Sequence, residues 1–227
     1  MALLPRLRRL LGRPAPASRI GARRPTGAPR HGDVPQEDAL RSRLGDDPND
    51  ERAFAALAEI VRRHAATGVD DDPLTAEADD AERQRAADLA VWSLGEELAG
   101  NPRAWYPLVE VARLSVRDDL EGTLRRLTTA AERDPSGAAL VAGLRLLREA
   151  GLPVEALGLG TGHWHPKDHD PEVGRELVLA AVEAGRPLDA KQHLAGLDLY
   201  PKQDDIAQMR RELARLVDQA ERHAAGA

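Results

Sequence analysis

From residue 35 onward, apolar side chains recur at the spacing of successive amphipathic helices. One such stripe falls at i, i+3, i+4 and i+7, and consists of Trp105, Leu108, Val109 and Ala112. Two later segments repeat the spacing, with Val173, Leu177, Ala180 and Ala184, and then Ile206, Met209, Leu213, Leu216 and Val217. Runs of β-branched and aromatic residues, which favour strands, are absent. We therefore predict an all-α fold with these stripes in its core.

Prolines mark the predicted helix starts in the sequences DPND, NPRA, DPSG and DPEV. Proline suits the first position of a helix because its missing N–H would have no partner there. The Asp or Asn before each proline is placed to cap the helix. The last amphipathic run, DDIAQMRRELARLVDQAERHAAG, predicts a C-terminal capping helix with a polar outer face.

Two segments of the chain are similar to each other at an offset of 34 residues, EAGLPVEAL (149–157) and EAGRPLDAK (183–191). We predict that Gly151 and Gly185 each end a helix and that Ala156 and Ala190 lie inside the next. Four predicted helix-start prolines are spaced by 33, 36 and 30 residues, namely Pro102, Pro135, Pro171 and Pro201. Pro48 precedes the first of them by 54, and most of the excess is the acidic segment 67–80. A period near 34 indicates an array of helical repeats.

A helix–turn–helix period of this length resembles the tetratricopeptide repeat, and residues 101–135 look most like one unit. Trp105 and Leu108 fit the family's first-helix positions, Ala130 its late second-helix alanine, and Pro135 its terminal proline. The unit departs from the family pattern in having Val109 for Gly, Thr123 for Ala and two residues inserted near Ser115. The resemblance covers about residues 46–200. It implies a right-handed α-solenoid of antiparallel helix pairs.

The resemblance also implies a function, because proteins of this family generally bind other proteins in a concave groove. We accordingly expect residues 35–225 to form a non-enzymatic interaction scaffold or adaptor that uses no cofactor. Its partner would be another protein. The family's peptide-clamping residues cannot be placed on this sequence.

Charge divides the chain into a basic tail and an acidic remainder. Residues 1–32 hold eight arginines and no acid, which leaves 24 basic and 38 acidic residues, a net charge of −14, for residues 33–227. With its many prolines and glycines, the segment 1–34 is predicted to be disordered. Nucleic-acid binding by the folded part is disfavoured because phosphate contacts dominate such affinity.

The start of the tail, with Arg6, Arg8, Arg9 and Arg13, can form a short basic amphipathic helix. Such a helix would contact an anionic membrane or an acidic partner. Two alternatives stay open: a solvated tail without a role, and a mitochondrial presequence if the source is eukaryotic.

Cysteine is absent, which excludes disulfides, zinc–thiolate sites and thiol nucleophiles and agrees with the cytoplasmic location that we expect. The sequence has no run of about 18 apolar residues of the kind that spans a membrane. Its bias toward Arg, Ala and Gly, with only three lysines, is typical of a high-GC bacterial genome.

The segment GLGTGHWHPKDHD, residues 158–170, interrupts the helical pattern with three glycines and Pro166. Each glycine costs about 1 kcal/mol in a helix interior and a proline about 3. We therefore predict an irregular excursion in place of most of one helix.

Three interpretations of this segment compete. His163, His165 and His169, with Asp168 or Asp170, offer metal ligands, which would make the protein a metal-binding protein or a hydrolase-type enzyme. In a structural loop, Trp164 would instead pack under neighbouring helix ends. In a partner-binding loop, the contacts would come from His163, Trp164, His165 and Lys167.

We favour a loop over a catalytic centre and predict no catalytic residues. The spacing G-x-G-x-G fits no nucleotide-binding motif. The acidic pairs Asp118–Asp119 and Asp204–Asp205 are explained by predicted helix starts, where the helix dipole favours negative charge.

Overall fold

The structure is a computed structural model that describes residues 33–70 and 80–226, and every regular element within those ranges is a helix. The all-α prediction is confirmed for this part of the chain. The predicted basic tail falls outside the described residues, except that the first helix already begins at Asp33. The elements are α1 (Asp33–Asp46), α2 (Glu51–Asp70), α3 (Asp80–Ala99), α4 (Tyr106–Ser115), α5 (Leu120–Arg133), α6 (Ala138–Glu149), α7 (Pro153–His163), α8 (Glu172–Glu183), α9 (Pro187–Gly196), a 3₁₀ helix (Leu197–Leu199) and α10 (Gln203–Gly226).

Each helix packs against the next one in chain order, and alternate helices also meet. Helix α6 contacts both α4 and α8, α8 contacts α10, and α5 contacts α7. The apolar core follows the chain in two successive clusters, one among α1–α3 and one from the end of α3 to α10. Phe54 of the first cluster meets the Tyr106 ring of α4 edge to face, at 5.5 Å between centroids. The helices are thus stacked in series.

The predicted apolar stripes face the core with one exception, although Trp105, Ala184 and Met209 are only partly buried against it. The positions that are buried as predicted are Leu108, Val109, Ala112, Val173, Leu177, Ala180, Ile206, Leu213 and Val217. Leu216 was predicted to be buried but is 40% exposed. The last helix packs mainly against α8 and α9, so its buried stripe is narrower than a full amphipathic face.

The two similar segments form two similar turns. Gly151 and Gly185 both adopt positive φ, 78° and 68°, at the ends of α6 and α8. In each turn the amide after the glycine reaches back five residues, from Leu152 to the Leu147 carbonyl (2.9 Å) and from Arg186 to the Ala181 carbonyl (2.8 Å). A positive φ costs glycine little, which explains its place in both segments.

The four Asx–Pro pairs form turns, but only Pro171 directly precedes a helix. Pro48, Pro102 and Pro135 lie three or four residues before α2, α4 and α6, so the prediction that these prolines begin helices was wrong. In each turn the Asx side-chain oxygen instead accepts the N–H two residues further on, as is typical of Asx turns. The four bonds run from Asn49 to Asp47 (3.0 Å), Arg103 to Asn101 (3.0 Å), Ser136 to Asp134 (3.1 Å) and Glu172 to Asp170 (2.8 Å).

Hydrogen bonds connect these four turns into what we call the turn row, formed by residues 47–50, 101–105, 134–137 and 168–171. Asn49 Oδ1 accepts the amides of Trp105 (2.8 Å) and Tyr106 (3.0 Å), which joins the first turn to the second. The Asp170 amide donates to the Ser136 carbonyl (2.8 Å), which joins the third to the fourth. Between them, Arg133 Nη1 donates to the carbonyls of Ala99 (2.9 Å), Asn101 (3.1 Å) and Ala104 (2.8 Å).

The predicted excursion at 158–170 is mostly wrong, because α7 continues through all three glycines to His163 and only residues 164–171 are irregular. Tertiary packing explains the difference. A Cβ on Gly160 would lie 2.3 Å from Leu177 Cδ2 and 3.2 Å from Leu144 Cδ2. Glycine here allows α7 to approach its neighbours closely, and burial of that contact outweighs the low helix propensity.

This packing predicts opposite effects of alanine at two glycines of α7. Gly160→Ala should destabilise the fold by about 1–3 kcal/mol, because the methyl group would overpack a buried site. Gly158→Ala should stabilise it by about 0.5–1 kcal/mol, because a Cβ there has open space and alanine favours helix. Urea unfolding followed by circular dichroism measures both. Equal effects of the two changes would contradict the close approach at Gly160.

Candidate functional site

The irregular segment between α7 and α8, residues 164–171, is held at both ends by backbone hydrogen bonds. The Trp164 amide donates to the Gly160 carbonyl (2.9 Å), and the Asp170 amide donates to the Ser136 carbonyl (2.8 Å) in the preceding turn. We call this segment the α7–α8 loop. It lies at the same end of the helices as the other turns of the turn row.

Trp164 is partly buried and packs against the main core cluster. A Cβ added to Gly196 or Gly174 would lie 2.6 or 2.8 Å from its ring, so α8 and α9 both leave room for it. The His193 ring of α9 meets it edge to face at 6.0 Å. Trp164 therefore fills space beneath helix ends, as the structural-loop interpretation predicts.

The three histidines of the loop region occupy different environments. His163 is the last residue of α7, and its Nδ1 lies 2.9 Å from the Leu159 carbonyl. His169 is only 7% exposed and lies against Gly137 of the third turn. His165 is exposed, and its ring meets the His169 ring edge to face at 5.1 Å. Lys167 is also exposed, in the middle of the loop.

The histidines line a cavity of about 500 Å³ between the loop and the end of α5. Burial lowers the pKa of His169 below its ordinary value of 6.5, and the nearby His165 and His163 rings lower it as well. Asp134 and Asp168 oppose that shift. The lining residues are Ala131, Glu132, Asp134, Pro135, Gly162, His163, His165, Asp168 and His169.

The geometry of these side chains shows whether three of them could share one metal ion. Within residues 33–70 and 80–226, no three His, Asp or Glu side chains are arranged so that they could share one metal ion. Asp134 is committed elsewhere, because its oxygens accept from the Ser136 amide, the Ser136 hydroxyl (2.7 Å) and the Ala139 amide (2.8 Å). The imidazole rings in contact are those of His165 and His169, four residues apart, and not those of the H-x-H pair.

A second candidate region is a groove of about 530 Å³ between α6 and α8, which the sequence analysis did not identify. Its lining combines charged residues with one leucine, namely Arg145, Arg148, Glu149, Arg175, Glu176, Leu179 and Glu183. Arg145 and Arg175 keep about half of their side-chain surface exposed, at 50% and 45%. This groove presents charge of both signs to solvent.

Glu176 organises the groove. Its side chain is only 3% exposed, and one of its oxygens accepts from Arg145 Nη2 at 3.0 Å. The other oxygen pairs with Arg148, which also contacts Glu183 (2.5 Å). One sequence signal could have revealed this: Glu176 stands three residues after Val173, on the apolar stripe of α8. A charged residue at a core-facing position indicates a buried partner of opposite charge.

The remaining acidic candidates have structural roles, as predicted. Asp119 caps α5 by accepting the Gly122 amide at 2.8 Å, and Asp204 and Asp205 lie in the first turn of α10. None of the helices in the described part of the chain is long and apolar enough to cross a bilayer.

No family model, curated protein or solved structure matches the chain.

The environments of Trp164 and of the histidines predict which substitution destabilises the fold more. Trp164→Ala should destabilise by about 2–4 kcal/mol, because it leaves a space between α8 and α9 that partial collapse fills poorly. The combined change His163→Ala and His165→Ala should cost less than about 1 kcal/mol at pH 7, because His165 is exposed and His163 only half-buried. Thermal unfolding with EDTA and with added zinc measures both. The reverse order, or a chelator effect on the wild type that the double variant lacks, would contradict the structural role of Trp164.

Proposed function

We propose that the chain is a non-enzymatic protein-interaction scaffold or adaptor. Its architecture is proposed to be a right-handed solenoid of antiparallel helix pairs similar to tetratricopeptide repeats, with α10 as the capping helix. The series of contacts from α4 through α6 and α8 to α10 supports this architecture. The two glycine turns, 34 residues apart with the same hydrogen bonds, support the repeat.

The observation that carries the proposal is the groove between α6 and α8. Stacking alternate helices side by side produces a continuous surface, and irregularities in that surface become grooves for extended or helical segments of another protein. The exposed half of Arg145 and of Arg175 provides cations at its rim, and Leu179 provides an apolar contact. Because Glu176 fixes Arg145 and Arg148, the groove is preorganised, which lowers the entropy cost of binding.

A pair of charge-removing variants tests the groove. Arg145→Gln with Arg175→Gln should reduce capture of the bound protein from a lysate of the native cell by at least tenfold, because two rim contacts are lost. The matched control, Arg211→Gln with Arg222→Gln, removes the same charge from exposed positions of α10 and should capture normally. Quantitative mass spectrometry measures capture, and circular dichroism confirms that both variants fold. Equal capture by the two variants would contradict binding in this groove.

The basic tail, which lies outside the described residues, is proposed to make a separate electrostatic contact with anionic lipid or an acidic protein. Deleting residues 1–32 should leave the melting temperature of the helical part within about 2 °C, because both apolar clusters of its core are formed by residues from Leu40 onward. Binding to vesicles that contain phosphatidylserine should fall on deletion and, in the intact chain, should weaken steeply between low and physiological salt. Vesicle co-sedimentation measures it. A large loss of melting temperature would show that the tail packs on the helices instead.

A further inference from the structure

The α7–α8 loop joins the turn row through a histidine. His169 lies against Gly137 with its Cβ and Cγ so close that a Cβ on that glycine would come within 2.9 Å of them. One residue later, the Asp170 amide donates to the Ser136 carbonyl at 2.8 Å. The loop is therefore attached to the third turn at two adjacent residues, and one of them carries a titratable ring.

The surroundings of His169 favour its neutral form. Its Nδ1 faces the His165 backbone amide at 3.5 Å, and a ring nitrogen can face an N–H favourably only when it carries a lone pair. A proton on Nδ1 would place two hydrogen-bond donors face to face, the ring N–H and the His165 amide N–H, which is unfavourable. A backbone hydrogen bond joins the same two residues, since the His169 amide donates to the His165 carbonyl at 2.9 Å.

Charged and titratable groups from α5, α7, the third turn and the loop itself line the same cavity as His169. The cavity around it contains His163 from α7, Glu132 from α5, Asp134 from the third turn, and His165 and Asp168 from the loop itself. The Asp134 oxygens are already engaged by Ser136 and Ala139, and Asp168 is exposed, so that water screens its charge. Asp134 and Asp168 would still favour a cation at His169, but burial and the two neighbouring imidazoles together oppose it more strongly.

We propose that the α7–α8 loop is a proton-sensitive latch, seated in the Ser136–Gly137 turn while His169 is neutral and released when His169 is protonated. Release would break the Asp170–Ser136 hydrogen bond and loosen Trp164, which begins the loop. The latch is a property of this chain alone and does not depend on the partner proposed above.

The direction of the pH effect follows from linkage. In the released loop the imidazole has its ordinary pKa of about 6.5, and in the seated loop burial lowers that pKa. Below about pH 6.5 the released form therefore binds more protons, and release becomes more favourable by up to about tenfold per pH unit. Above about pH 7.5 the ring is almost entirely neutral in both forms, and the loop stays seated.

The test uses the full chain with EDTA present, so that trace metal does not occupy the rings. Nuclear magnetic resonance follows the His169 ring between pH 7.5 and 5.0, and hydrogen exchange follows the Asp170 amide after correction for intrinsic exchange. Protection of Asp170 should fall by up to about tenfold per pH unit, in parallel with the titration of His169. The Leu152 amide serves as an internal control, because it closes a comparable turn without a histidine and should keep its protection.

Variants identify the responsible ring. His169→Asn retains a side-chain acceptor that does not titrate in this range, so Asp170 protection should become independent of pH. His193→Gln should leave the pH dependence in place, although burial also lowers the pKa of His193 beside Trp164. His223→Asn, on the exposed end of α10, is the matched surface control and should behave as the wild type.

Two results would overturn the latch. One is Asp170 protection that does not change with pH in the wild type, or changes with the titration of His193 rather than His169. The other is a folded His169→Asn variant that keeps the wild-type pH dependence. Should that variant fail to fold, the wild-type comparison of the His169 titration with Asp170 protection decides the question by itself.

Discussion

The stacking of successive helices in this protein depends on polar connections between consecutive turns. Each helix must meet its neighbours at a defined offset, and leucine and alanine side chains alone allow neighbouring helices to slide. Hydrogen bonds fix the offset because they are directional and because an unpaired buried carbonyl or amide is costly. Arg133 shows the principle, since one guanidinium nitrogen satisfies three carbonyls at the end of α3 and in the second turn.

Polar connections between neighbouring elements also shape the α7–α8 loop and the groove between α6 and α8. The α7–α8 loop belongs to the turn row, and its irregular backbone is held by the Ser136 carbonyl and by the packing of His169 on Gly137. The groove between α6 and α8 depends on a side-chain connection between the two helices. Glu176 of α8 pairs with both Arg145 and Arg148 of α6. A buried ion pair of this kind is weak evidence for net stability, because desolvation offsets the attraction. Its effect is to fix the position of Arg145, whose side chain stays half exposed in the groove.

The α7 segment shows where reasoning from local propensity fails. Three glycines within five residues predict a broken helix. An isolated peptide of that sequence is not expected to form a continuous helix. In the protein, Gly160 faces Leu177 and Leu144, and the close approach that it permits buries enough apolar surface to keep the turns helical. A Cβ at Gly158 or Gly162 would meet only open space. These two glycines are tolerated because the buried residues of α7 hold the helix in place.

The sequence by itself determined the helical class, the core stripes of α4 and α8, and the two glycine turns, since each depends on contacts within a few residues or on the period of one helix. It also identified Trp164 as a packing residue. Only the tertiary structure decided that Leu216 is exposed and that Glu176 holds two arginines. These features depend on which helix lies beside which. Groups 28–34 residues apart, such as the side chains of Glu176 and Arg148 or the Arg133 guanidinium and the Ala99 carbonyl, carry no local signal of their contact. That contact arises only when stacking brings successive helices together.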